Sequence, residues 1–170
     1  MPDTAVSAPR DRTELGFDPS GFLPHHLSVV ANRYSATLHG MYASRFGLTV
    51  PGWRIMAILA GEAPLSSRDV GDRLAMDPVA ISRAVDQLVT AGLVSRRTDP
   101  DDRRRHQLRL TDRGRAVFDE IVPLAHGIER AILETLEPAD REALARIMRT
   151  LATRSADILA EGRDWREFLG

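Results

Sequence analysis

The chain has 170 residues, 43% of them hydrophobic and 28% charged, which fits one folded domain with an ample core rather than a disordered chain. No uncharged apolar run reaches the roughly 18 residues of a membrane span, and residues 1–14 lack the apolar stretch of a secretory signal, so a cytoplasmic protein without membrane contact is expected. Cysteine is absent, which excludes disulfides, thiol chemistry and cysteine-held metal, and the net charge of −1 hides an asymmetry: residues 68–115 carry 11 Arg against 8 acids, whereas 116–170 carry 7 against 11. All 23 basic residues are Arg.

Pro2, Pro9, Gly16 and Pro19 interrupt any pattern in residues 1–20, which read as a flexible N-terminal arm. Leu23, Leu27, Val30, Tyr34, Leu38, Met41 and Arg45 then recur at three- and four-residue steps, the stripe of a long amphipathic helix ending near Gly47. Thr49 and Pro51 open a second helix through Ile55, Ile58 and Leu59, with Gly61 and Pro64 as its stop. Ser66 or Ser67 caps a short third helix in which Val70 and Leu74 face inward. Asp77 and Pro78 supply the cap and first turn of a fourth, and Gly92 supplies its left-handed end. A short helix, a tight connection and a capped helix make a helix-turn-helix.

Beyond Gly92 the period changes to two. Residues 94–98 and 106–110 flank the turn-forming Asp99-Pro100-Asp101-Asp102, a β-hairpin with Leu108 and Leu110 on one face and a charged tip. Thr111 caps a long helix with the stripe Val117, Ile121, Leu124, Ile128, Ile132 and Leu136, interrupted by Pro123. Pro138 opens a last helix bearing Leu144, Ile147, Leu151 and Ile158. The fold class expected is mainly α with a small β-hairpin wing: a winged helix-turn-helix over residues 48–111, between N- and C-terminal helices (21–47 and 112–165).

The fourth helix has two faces. Ile81, Ala84, Val85 and Leu88 form its buried side, and Val79, Ser82, Arg83 and Asp86 line the other at helical spacing. In a helix-turn-helix that outer face enters the major groove, where Arg83 can reach a guanine edge or a phosphate, Ser82 a base or phosphate, and Val79 a thymine methyl. Alone, such a stripe is more often an ordinary solvated face. The hairpin adds weight: Arg103, Arg104 and Arg105 concentrate positive charge on a slim projection suited to a minor groove, with Asp102 in reach of Arg104. A solvated turn that blocks edge pairing is the plainer account of such a tip. Ser67, Pro78 and Arg96 complete the set expected at the DNA surface, and double-stranded nucleic acid is the expected partner.

Asp102-Arg103-Arg104 followed after five residues by Leu110-Thr111-Asp112-Arg113-Gly114 resembles the wing signature of the multiple antibiotic resistance regulator (MarR) family, D-x-R then L-T-x-x-G. Ile81-Ser82-Arg83 through Gly92-Leu93-Val94 is similar to that family's recognition helix and entry to the wing. The resemblance spans roughly residues 22–160. It implies a homodimeric transcriptional regulator, commonly a repressor, on a pseudo-palindromic operator, with the N- and C-terminal helices (21–47 and 112–165) as its dimerisation region. It also implies Arg104 as the minor-groove arginine, positioned by Asp102, and release from DNA by a small aromatic or phenolic acid. The apolar stripes of Leu136, Ile147, Leu151 and Ile158 support a dimer independently, since so short a chain can hardly bury them alone, although covering the monomer core is the other use for them.

For such an effector, His26, Arg33 and His39 offer cations on the first helix, and Tyr34, Trp53 and Met56 offer flat apolar walls. The same residues also read as interface and core. No metal site is expected, since histidines without close ligand spacing are a poor zinc set, and no cofactor is expected. A constitutive DNA-binding regulator without an effector is the alternative. An enzyme is disfavoured by the lack of Ser-His-Asp spacing, a Gly-rich phosphate loop or a paired-carboxylate motif.

Overall fold

The computed structural model describes residues 18–98, 106–158 and 164–168. Asp18 accepts from the backbone N–H of Ser20 and caps a single 3₁₀ turn, Pro19–Gly21, so the last residues assigned to the arm form an ordered lead into the first helix. Helix α1 (Leu23–Phe46) carries Pro24 in its first turn and ends at Gly47, whose φ of 64° is the left-handed conformation that glycine tolerates best. The Thr49 hydroxyl accepts from Gly52 N–H and starts α2 (Val50–Glu62). Gly61 does not stop this helix, which runs on to Glu62 and ends before Pro64.

Ser66, not Ser67, caps α3 (Ser67–Leu74). Its hydroxyl accepts from Asp69 N–H while the Asp69 carboxylate accepts from Ser66 N–H, a reciprocal box. Ala75 then turns left-handed (φ 49°) to close α3, and Asp77 caps α4 (Pro78–Thr90) by accepting from the N–H groups of Val79 and Ala80. At the far end Leu93 N–H bonds Leu88 C=O and Gly92 N–H bonds Val89 C=O, the two bonds of a Schellman closure, with Leu93 buried beyond it.

Strands β1 (Val94–Thr98) and β2 (His106–Leu110) pair antiparallel in the register Val94↔Leu110, Arg96↔Leu108 and Thr98↔His106. Leu65 adds an isolated bridge to Leu108 on the other edge of β2. Thr111 Oγ1 accepts from Gly114 N–H and opens α5 (Asp112–Leu133), which holds Pro123, and α6 (Pro138–Ile158) follows. Leu136, expected on the α5 stripe, lies after the end of that helix.

Two compact units divide the chain at residue 125. The first holds the core: Leu38 and Tyr42 of α1, Trp53, Ile55, Met56 and Leu59 of α2, Val70 of α3, Ile81, Val85 and Leu88 of α4, with Leu93, Val94, Leu108 and Ile121. Most of the predicted α1 stripe stays outside it, for Leu23, Leu27, Val30 and Met41 are exposed. In the second unit no residue of α6 is buried, and Leu144, Ile147, Met148 and Leu151 are all exposed.

Candidate nucleic-acid interface

The α4 caps set the helix as a rigid rod whose two faces separate as the pattern predicts. Ile81, Ala84, Val85 and Leu88 are buried, and Val79, Ser82, Arg83 and Asp86 are exposed. Val79 keeps 57% of its surface open, a large apolar residue on an otherwise polar face next to the exposed Pro78. An apolar side chain presented to solvent in the first turn of a capped helix is suited to a thymine methyl. Ser67, at the first position of α3, is half-buried.

On the wing, strand alternation decides which arginines are available. Val94, Arg96 and Thr98 share one face of β1, so Arg96 leaves the sheet on the side of buried Val94 and meets α4. Its guanidinium donates to the Asp86 carboxylate at 2.7 Å. Arg96 and Asp86, both expected as DNA contacts, are therefore bound to each other. Arg97 and Arg109 stand on the opposite face, and both are exposed. Period-two counting outward from Val94 would have separated Arg96 from Arg97 in the sequence. Asp102, Arg103, Arg104 and Arg105 lie outside the described residues.

The wing is fastened to α4 and α5 at one knot. Thr111 donates its hydroxyl proton to Gly92 C=O at 2.7 Å, and Arg113 donates to Ala91 C=O at 3.1 Å, so the two carbonyls that follow the last residue of α4 are satisfied from the start of α5. Gly114 sits where the chain crosses behind Leu93, and a Cβ there would lie 2.0 Å from the Leu93 carbonyl oxygen.

The six residues expected at an effector site do not converge. His26 Nε2 is 2.6 Å from Ser20 C=O, and thirteen residues of helix, about 20 Å, separate it from His39. Arg33 is exposed. Met56 is fully buried and serves the core, and Trp53 stacks on Phe118 at 5.4 Å between ring centroids. A cleft of about 290 Å³ between the end of α2, β2 and the start of α5 is lined by Leu59, Arg109, Thr111 and Arg115 among others, and by none of the six. What does form is a chain of rings, His39 edge-on to Tyr42, Tyr42 against Trp53, and Trp53 on Phe118, with Tyr34 bonded to Ala125 C=O. Burial pushes the Tyr42 phenol up to about 12, opposed in part by Arg54, so it stays a neutral donor. Arg54, bonded to Ser35 at 3.0 Å, is a cation beside these rings that periodicity on α1 alone did not single out. Among the described residues no group of His, Asp and Glu is placed to hold a metal, and no helix is long and apolar enough to cross a membrane.

Known proteins share this arrangement. The MarR family profile matches residues 46–105, which run from the end of α1 through the wing. The HTH-type transcriptional repressor NicR of Pseudomonas putida is 28% identical over 148 residues, 87% of this chain and 92% of that protein. A MarR-family regulator from Silicibacter pomeroyi superposes with a TM-score of 0.72 at 27% identity, covering 91% of this chain and 100% of that one. BpsR of Bordetella bronchiseptica, whose DNA binding is regulated by 6-hydroxynicotinic acid, superposes with a TM-score of 0.70 at 26% identity over 80% of this chain and 96% of its own. The chain belongs to the MarR family of DNA-binding, winged-helix transcriptional regulators.

Proposed function

We propose that the protein is a homodimeric repressor that reads a pseudo-palindromic operator with α4 and the wing and lets go of it when a small aromatic acid binds. The observation that carries this reading is the outer face of α4: Val79, Ser82 and Arg83 open to solvent on a helix buried along its other side, directly followed by an arginine-rich hairpin. In this reading Val79, Ser82 and Arg83 enter the major groove, Pro78 and Ser67 lie along its wall, and Arg104, aligned by Asp102 and flanked by Arg103 and Arg105, enters the minor groove. Arg97 and Arg109 supply phosphate contacts from the outer face of the wing.

MarR-family regulators bind DNA as dimers, and residues 21–47 and 112–165 are the proposed dimerisation region. The exposed apolar faces of α1 and of α6, each considered alone, are what a second copy would cover. Half-sites one helical repeat apart, roughly 34 Å, then match the paired reading helices.

For the effector, the relative BpsR responds to an aromatic carboxylic acid. Tyr34, His39 and Trp53, with Arg54 as the cation, are the residues of this chain chemically suited to such a molecule. Its action requires only that it favour a spacing of the reading helices that misses successive major grooves. Selection of duplexes from a random pool, sedimentation of the protein with and without the winning duplex, and thermal-shift screening of aromatic acids test the three parts. A monomer at working concentration, or a protein that ignores duplex DNA in dilute buffer, refutes the reading. A dimer that binds its duplex unaffected by every acid leaves a constitutive regulator.

A further inference from the structure

Asp86 belongs to α4 and Arg96 to β1, and the 2.7 Å ion pair between them spans the joint at residues 91–93. The Schellman closure fixes the end of the helix; the direction in which the strand leaves is a separate degree of freedom. Asp86 lies more than a turn before the joint and Arg96 is the third residue after Leu93, so the pair acts as a diagonal strut across the corner. The five residues of β1 extend about 16 Å, and an angular error at the corner grows along that length before it reaches the wing tip.

We propose that Asp86 and Arg96 are positioning residues whose ion pair sets the angle between the reading helix and the wing, so that both elements engage one duplex together. This rests on the DNA-binding reading above. It also inverts the simple electrostatic expectation for Asp86. An acid on a phosphate-facing helix repels DNA, and its removal alone would tighten binding. Both side chains retain solvent contact, so the pair contributes little to folding stability and its variants fold.

The specific probe is a duplex selected from a random pool on the wild-type protein; the non-specific probe is an unselected random duplex of equal length. D86N is expected to weaken binding to the selected duplex tenfold or more, to leave binding to the random duplex unchanged or slightly tighter, and to hold the thermal midpoint within about 2 °C. D86N/R96Q is expected to bind the selected duplex no more weakly than R96Q alone, because a strut is broken only once. Amide exchange over 94–98 and 106–110 in the DNA-free protein is expected to quicken in D86N. A D86N variant that binds the selected duplex as tightly as wild type, or losses that multiply in the double variant, overturns the proposal. Wild-type protein that selects no duplex overturns the DNA-binding reading instead, and unchanged exchange in D86N then overturns the strut by itself.

Discussion

Gly114→Ala sets two rules of helix energetics against each other. By propensity alone, alanine in the first turns of α5 gains up to about 1 kcal/mol over glycine. The structure opposes this, because the new methyl would stand 2.0 Å from the Leu93 carbonyl oxygen and 2.9 Å from its carbon. Separating them to a tolerable contact requires the start of α5 and the entry to β1 to part by about 1 Å. That oxygen is held in place, accepting from Thr111 N–H at 3.0 Å. Overpacking costs about 1–3 kcal/mol, and loss of bonding at the carbonyl about 1–3 kcal/mol more. After the propensity gain the variant should be destabilised by about 3 kcal/mol, within a range of roughly 1–5. Urea unfolding at matched protein concentration measures it, since the stability of a dimer depends on concentration. Gly61→Ala, on a helix where the added methyl meets nothing within 4 Å, is the control and should be neutral or stabilising. A Gly114→Ala protein as stable as wild type would refute the close approach.

Ala75→Gly should stabilise the protein by about 0.5–1 kcal/mol in the same assay, because the φ of 49° at this turn strains any residue with a Cβ; a loss of stability would refute that account. Arg83→Ala should cost about 1–3 kcal/mol on a selected duplex and relax the preference at one position per half-site, whereas uniform weakening across sequences would mark a phosphate contact. Arg104→Ala should lower the salt dependence of binding by about one unit per wing, and an unchanged salt titration would refute the minor-groove assignment.

The elements that sequence reading located best are those bounded by local chemistry. Asp77-Pro78 and Gly92 delimit α4 because an N-cap and a left-handed C-terminus are decided within a few residues, and the hairpin strands follow from alternation and turn residues between them. Side-chain pairing was less legible. Counting by two from Val94 separates the faces of Arg96 and Arg97, but that Arg96 meets Asp86 of α4 follows only from the way the sheet packs on that helix. The effector residues failed to converge for a different reason. Periodicity reports which face of a helix a residue occupies but not what packs across it, so the closure of the core over Met56 and the stacking of Trp53 on Phe118 of α5 were not legible. The L-T-x-x-G run was recognisable as a motif, yet the need for its glycine becomes evident only where α5 passes behind Leu93.

The grip of Thr111 and Arg113 on the carbonyls of Gly92 and Ala91, just past α4, ties that end of the helix to the start of α5. The opposite end, with Val79, has solvent on its outer side, and the helix between is a rod of 13 residues, about 20 Å long. A tilt of roughly 5° about the gripped end sweeps the far tip through about 1.7 Å, more than half a hydrogen-bond length. Small rotations at the base of α5 are thus amplified at Val79, and under the DNA-binding function proposed above a molecule need not touch that surface to shift it.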